Sequence, residues 1–226
     1  MGKLFVIDGT DGSGKQTQFT KLKERFDKEG IEYMEISFPN YDSPSSSLVK
    51  MYLSGEFGEN PSDVSPYIAS TFYAADRYAT FKTKFEKYYN DGGIILADRY
   101  TSANMVHQAG KIKDKEERTK FISWLYDLEF GLYKIPRPDK VFFLNMPPEK
   151  CLELIKNREN KFTHEKEKDI HERSASHIID SYNAACDVAK EYGWCEIHCV
   201  NGDQIKSIDE IHEEIFDVVK KELKKG

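Results

Sequence analysis

Short runs of consecutive apolar residues alternate with longer amphipathic segments along this chain. A short apolar run is typical of a strand buried on both faces, and apolar residues every three to four positions are typical of a helix. The runs that predict strands are residues 4–8, 33–38, 94–98, 140–145 and 195–200. The segments that predict helices are residues 14–29, 48–53, 66–89, 116–133, 148–157, 174–191 and 208–223.

This alternation predicts an α/β fold in which a five-stranded parallel sheet is covered by helices on both faces. Strands that are apolar on both sides need cover from two layers, so we expect a three-layer αβα arrangement. No repeat or linker divides the sequence, which favours one domain over residues 1–226. Ligands of such sheets bind beyond the carboxyl ends of the strands. Candidate chemistry is therefore expected just after Ile7, Phe38, Ala97 and Leu144.

Composition and charge disfavour a nucleic-acid-binding protein and a membrane-spanning protein. The chain has 226 residues, of which 39% are hydrophobic and 32% charged, with a formal net charge of −6. An acidic total disfavours a nucleic-acid polymer as partner, because such binders need a positive surface. No apolar run is long enough to span a membrane, and the four cysteines lack C-x-x-C spacing. We therefore expect a soluble cytoplasmic protein with reduced thiols and no membrane partner.

The loop after the first predicted strand matches the phosphate-loop pattern G-x-x-x-x-G-K. It reads GTDGSGKQT over residues 9–17. Glycines let several backbone N–H groups point at one phosphate, the following helix adds its dipole, and Lys15 adds a full charge. The residues expected to bind ATP are Gly9, Asp11, Gly12, Ser13, Gly14, Lys15, Gln16 and Thr17.

Mg²⁺ is the expected cofactor, but this loop departs from the phosphate-loop pattern at the residue that usually binds the ion. The pattern places Ser or Thr after the lysine as a magnesium ligand, whereas this chain has Gln16 there. A glutamine amide oxygen is a poorer match, so we expect the ion to be held mostly by waters, phosphates and carboxylates. Asp98, at the end of the third strand, is a candidate metal residue acting through water.

A second substrate is indicated by polar residues outside the phosphate pattern. Arg99 follows the third strand and can grip a phosphate with two hydrogen bonds, although a strand-end ion pair is the alternative. Asp11 would be repelled by phosphate, so it is expected to face a hydroxyl or a metal. Phe72 can stack on a base, and Arg77 can donate a hydrogen bond to a base carbonyl. Alternatively, Phe72 is a core residue and Arg77 is a surface residue.

A charged stretch over residues 157–173 lacks apolar periodicity and predicts a solvated loop. In a phosphoryl-transfer enzyme, a mobile lid of this kind would exclude water and bring Arg158 or Lys161 to the transferred group.

Taken in order, these residues resemble the thymidylate kinase family, a P-loop group of nucleoside monophosphate kinases. The resemblance covers nearly the whole chain. It rests on the loop with its internal Asp11, Phe38-Pro39, Phe72, Arg77, residues 98–100, Ser102, Gln108, residues 158–172 and Tyr182.

The resemblance implies a P-loop αβα fold with a mobile lid, a homodimer, and transfer of the ATP γ-phosphoryl group to dTMP, which gives dTDP. It implies that Asp11 meets the deoxyribose 3′-hydroxyl, Phe72 stacks on thymine, Arg77 bonds the base and Arg99 holds the acceptor phosphate. The dTMP-binding residues implied are Asp11, Pro39, Tyr41, Phe72, Arg77, Arg99, Tyr100 and Gln108. The catalytic residues implied are Lys15, Asp11, Arg99 and, because position 12 is Gly, Arg158 of the lid.

Three departures from the family pattern keep alternatives open. Gln16 replaces Ser or Thr, Tyr41 stands where many relatives carry a phosphate-binding arginine, and the lid is rich in lysine. Lys50 or Lys111 could supply the missing charge. One alternative is a kinase for another nucleoside monophosphate or for a deoxynucleoside, although Arg99 favours a phosphate acceptor. The other is a nucleotide-binding regulatory protein that turns over poorly.

Overall fold

The computed structural model describes residues 1–159 and 175–225 and contains the predicted parallel sheet. Its strands lie in the order β2-β3-β1-β4-β5, and every neighbouring pair is parallel. The bounds are β1 Lys3–Asp8, β2 Met34–Ser37, β3 Ile94–Asp98, β4 Lys140–Asn145 and β5 Cys195–His198. The predicted α/β class and sheet are confirmed.

Helices connect the strands close to the predicted positions. They are α1 Lys15–Glu29, α2 Ser47–Ser54, α3 Pro66–Thr80, α4 Glu86–Asn90, α5 Thr101–His107, α6 Lys115–Tyr126, α7 Pro148–Glu159, α8 Ala175–Glu191 and α9 Ile208–Leu223. A π-helical turn, Phe81–Phe85, joins α3 to α4, and a second, Asp127–Leu132, extends α6. The hydrophobic pattern missed α5. It also missed a small hairpin of β6, Val200–Asn201, and β7, Gln204–Ile205.

The central strand β1 shows why its sequence is apolar at consecutive positions. Phe5 and Ile7 pack into a cluster with the apolar faces of α1 and α9, whereas Leu4 and Val6 pack into a second cluster on the opposite side. All four side chains are at most 1% exposed. Because successive side chains of a strand point to opposite faces, a strand between two helical layers must be apolar throughout.

The sheet order brings the candidate residues to one edge. Ile7 pairs with Asp98 of β3 and with Phe142 of β4, so the loop after β1 and the residues after β3 leave the sheet side by side. The predicted lid falls mostly on residues outside the described ranges, and Arg158 is described only as part of the α7 backbone. Within the described residues, no helix combines the length and hydropathy needed to cross a bilayer.

Candidate active site

The phosphate loop encloses the ammonium group of Lys15. This side chain is 8% exposed, donates a 2.8 Å hydrogen bond from Nζ to the carbonyl oxygen of Thr10, and lies 3.5 Å from Asp11 Oδ1. Burial lowers the pKa of Lys15, and the charge of Arg99 adds to that effect. A desolvated cation at the start of a helix is well suited to interact with a nucleotide phosphate.

Gly12 is the point where this loop contacts α7. Its φ is +83°, and a Cβ atom there would lie 2.6 Å from the carbonyl oxygen of Cys151 and 2.9 Å from Cγ1 of Ile155. Any side chain at position 12 would therefore collide with the backbone of α7. The loop therefore has no room for an arginine at this position.

Asp11 and Arg99 form the charged centre of the site. Arg99 Nη2 lies 2.5 Å from Asp11 Oδ1, and Arg99 adopts a φ of +65° while its N–H donates to the carbonyl oxygen of Ile7. Burial alone would raise the pKa of Asp11, but Arg99 and Lys15 hold it well below its usual value. Arg99 remains charged for the reciprocal reason, because burial is outweighed by Asp11, Asp8 and Asp98.

A cavity of about 330 Å³ opens beside this pair, a size within the range of small-ligand sites. Most of the predicted acceptor residues line it. They are Asp11, Pro39, Tyr41, Arg77, Arg99, Tyr100 and Gln108, together with the two candidate metal residues Gln16 and Asp98. The lining residues that sequence reasoning missed include three with side chains suited to bind a ligand, Tyr73, Asn104 and His107.

Tyr73 is the aromatic residue of α3 that lines the cavity, whereas Phe72, the residue predicted to stack on a base, does not line it. Among the described residues of α3, the cavity lining includes Tyr73 and Arg77 but not Phe72. Phe72 packs in a small apolar cluster to which Tyr73 also contributes, and the ring centroids of Phe72 and Phe57 are 5.7 Å apart. Residues four apart share a helix face, so Tyr73 accompanies Arg77 and Phe72 does not. The four-residue spacing between Tyr73 and Arg77 was the feature of the sequence that could have identified Tyr73.

Arg77 is a buried residue, which excludes the interpretation that it lies on the surface. It is 1% exposed and forms a two-pronged ion pair with Glu129, from Nε at 2.6 Å and from Nη2 at 2.5 Å. Thr101 Oγ1 donates to the same carboxylate at 3.0 Å. Burial alone would lower the pKa of Arg77, but Glu129 raises it, so the guanidinium is charged. Its Nη1 lies 3.4 Å from the carbonyl oxygen of Tyr100, on the cavity side.

Two buried amides on the cavity wall keep unsatisfied atoms. Asn104 Nδ2 and Gln108 Oε1 have no hydrogen-bond partner among the described residues, although the side chains are only 3% and 1% exposed. Unpaired buried polar atoms are costly, and a polar ligand would satisfy them. The pair lies one helical turn apart, on α5 and just after it.

Tyr100 and Tyr41 both line the cavity, but Tyr100 is buried and Tyr41 is exposed. Tyr100 is fully buried and donates from its hydroxyl to the carbonyl oxygen of Pro136, so its ring forms the wall. Tyr41 is 49% exposed at the cavity mouth. Lys111 donates a hydrogen bond to Tyr52 Oη and is not among the described residues that line the cavity. Lys84 lines an adjoining cavity, which Tyr41 also lines.

The donors near the phosphate loop fit magnesium. Gln16 and Asp98 border the same two adjoining cavities and offer oxygen ligands, the type that this ion prefers. Within the described residues there is no cluster of three or more His, Cys, Asp or Glu side chains that could hold a metal. A magnesium ion that keeps several waters and binds nucleotide phosphates needs no such cluster.

The fold and site define a P-loop protein that brings a phosphate loop and a second-substrate cavity together at the carboxyl edge of a parallel sheet. The family model for thymidylate kinase matches residues 7–215. The chain belongs to the thymidylate kinase family.

Individual relatives agree with this assignment. A probable thymidylate kinase of Thermococcus gammatolerans is 27% identical over 229 residues, covering 100% of both chains. A thymidylate kinase of Brachyspira hyodysenteriae is 30% identical over 154 residues, covering 68% of each. A solved thymidylate kinase of Candida albicans has a TM-score of 0.72 at 20% identity and covers 98% of this chain and 92% of that one, which supports the fold.

Proposed function

We propose that this protein transfers the γ-phosphoryl group of ATP to dTMP, giving dTDP and ADP. The observation that carries the proposal is a cavity lined by Asp11 of the phosphate loop, by Arg99 after β3 and by buried polar side chains that can bind a base. Family membership supports the same reaction.

The charged centre supplies positioning and charge neutralisation. Arg99 binds the acceptor phosphate, and ionised Asp11 accepts a hydrogen bond from the sugar hydroxyl. Lys15 exchanges its bond to the Thr10 carbonyl for the β- and γ-phosphates of ATP. The acceptor phosphate is already an oxyanion, so the step needs alignment and electrostatic stabilisation and no general base.

The base site is formed by Tyr73, Arg77, Asn104 and Gln108. Tyr73 stacks on the pyrimidine, in place of Phe72. Thymine presents two carbonyl acceptors and one N–H donor along its edge. Arg77 and the two unsatisfied amides offer matching donors and an acceptor.

Magnesium and the lid complete the proposed machinery. Asp98 and Gln16 would hold the ion through its waters, and bound Mg²⁺ would neutralise charge on the phosphates. Arg158 is the proposed catalytic arginine because Gly12 leaves no room for one in the loop.

The proposal is tested by measuring ADP release from Mg-ATP with a panel of acceptors. The panel is dTMP, dUMP, dCMP, dAMP, dGMP, thymidine and buffer alone. Selective turnover with dTMP supports the proposal. Turnover with a different acceptor retains the phosphate-loop chemistry and refutes the base site. ATP binding without turnover across the panel would favour the regulatory alternative.

We also propose a homodimer, formed through an exposed face of α3. Ile68, Thr71, Ala75 and Tyr78 are spaced along one side of the helix, and Ile68 and Tyr78 are 53% and 41% exposed. Sedimentation equilibrium should give a dimer that Ile68→Asp weakens, because a charge would be buried at the contact. A monomeric wild-type protein at micromolar concentration would contradict this proposal.

The cytoplasm is the proposed compartment. The reaction consumes ATP, and the four cysteines are free thiols, as expected where glutathione keeps thiols reduced.

A further inference from the structure

His107 contacts the acceptor-phosphate arginine directly. Its Nε2 lies 2.9 Å from Arg99 Nη1. A guanidinium has only donors, so the imidazole nitrogen in this contact must be the acceptor. The ring therefore carries its proton on Nδ1 and is neutral. Arg99 is thus held at two points, from Nη2 to Asp11 and from Nη1 to His107.

The imidazole of His107 is enclosed by other groups of the site. The side chain is 8% exposed, and its ring stacks on His177 of α8 with centroids 5.7 Å apart and an interplanar angle of 23°. Among the residues that the structure describes, the charged groups that face it include Arg99 and Asp11. Lys111, Lys113 and Asp180 act on the neighbouring His177. Burial lowers the pKa of His177 to about 4, so this second ring stays neutral above pH 5.

We propose that His107 is a positioning residue that fixes the guanidinium of Arg99 for the acceptor phosphate and makes acceptor binding sensitive to acid. A proton added to Nε2 removes the acceptor and places a second cation 2.9 Å from the guanidinium. Arg99 must then leave its position, and the acceptor phosphate loses an oriented two-point contact. The inference rests on the proposed function, because it assumes a phosphorylated acceptor at Arg99.

The test compares two substitutions by steady-state kinetics between pH 5.5 and 8.5. His107→Gln places an amide oxygen near the position of Nε2, accepts the same bond and does not titrate. His107→Leu removes the acceptor. We expect His107→Leu to raise the KM for dTMP about tenfold at pH 8 with the KM for ATP unchanged, and His107→Gln to restore it to within about threefold.

The pH dependence separates positioning from a general structural role. Phosphate monoesters themselves take up a proton near pH 6, so His107→Gln supplies the baseline for the substrate. The wild-type KM for dTMP should rise more steeply below pH 6.5 than that of His107→Gln. His198→Gln changes an exposed histidine and is the matched control, with both KM values expected to stay unchanged.

Equal pH slopes for the wild type and His107→Gln, or an unchanged dTMP KM in His107→Leu, would overturn the inference. A wild-type protein that does not turn over dTMP would instead overturn the proposed function, so the two failures are distinguishable. Thermal melting of both variants identifies any loss of folding, and the Gln variant keeps the test decisive if the Leu variant is unstable.

Discussion

Two guanidinium groups, that of Arg77 buried and that of Arg99 partly buried, are each held by a carboxylate from a distant part of the chain. Arg77 pairs with Glu129, 52 positions away, and Arg99 with Asp11, 88 positions away. The first pair is at most 1% exposed, and a buried ion without its partner is strongly destabilising. These pairs fix the directions in which the two arginines can act on a ligand.

Lys15→Ala tests the charge at the phosphate loop. We expect turnover to fall by at least about 100-fold, because the γ-phosphoryl group loses a cation that acts in the transition state. ATP affinity, measured by calorimetry, should fall by less. Lys21→Ala removes an exposed lysine of the same helix and serves as control, with turnover unchanged. A Lys15→Ala enzyme with full turnover would remove this residue from the mechanism.

Glu129→Gln tests the buried pair. We expect the free energy of unfolding, measured in urea, to fall by about 3–5 kcal/mol, because Arg77 would remain buried and charged without a counter-ion. Asp91→Asn breaks the exposed pair between Lys87 and Asp91 and should give no measurable change. Equal effects of the two substitutions would show that the Arg77–Glu129 pair contributes no more than a surface pair.

At the scale of elements, the phosphate loop lies against α7, the helix that precedes the predicted lid, and we expect this contact to couple nucleotide binding to the helix. Gly12 allows this contact because it has no side chain and adopts a positive φ. The helix cannot lie this close to a loop that carries a larger residue.

Gly12→Ala should therefore be more damaging than a glycine substitution in open space. A Cβ atom at Gly12 must displace α7, whereas one at Gly30, with φ +67°, meets no atom within 4 Å. We expect Gly30→Ala to cost about 1–2 kcal/mol from backbone strain alone, and Gly12→Ala to cost more and also to weaken ATP binding. Urea denaturation and calorimetry measure the two effects. Equal stability losses with unchanged ATP affinity would contradict the coupling.

At the scale of the whole molecule, stability should depend on pH through a buried histidine. His177 is 6% exposed, and burial lowers its pKa from 6.5 to about 4. Between these values the unfolded chain binds a proton that the folded chain does not. Stability is therefore fully present above pH 6.5 and is lost as the pH falls towards 4, by at most about 3 kcal/mol from this group.

The measurement is the unfolding free energy of the wild type and of His177→Gln between pH 4 and 7.5. The variant should show a shallower decline in acid, because the amide does not titrate. His198→Gln, which changes an exposed ring, should follow the wild-type curve. Parallel curves for the wild type and His177→Gln would exclude a contribution from this histidine.

The sequence by itself determined the five strands of the parallel sheet, the phosphate loop and the family. These features depend on local order: apolar runs define strands between two helical layers, and the spacing of glycines and Lys15 defines a phosphate loop whatever surrounds it. The resemblance correctly indicated a thymidylate kinase. A single domain over residues 1–226 and the roles of residues 157–173 stay predictions.

Only the tertiary structure decided which side chains meet in the cavity. Tyr73 and Phe72 are adjacent aromatic residues of one helix, and the packing of Phe72 against Phe57 settles which of them lines the site. Glu129 reaches Arg77 from a π-helical turn, and His107 reaches Arg99 from a short helix that the hydrophobic pattern did not predict. Such contacts join residues far apart in sequence, and they depend on how the elements pack rather than on local propensity.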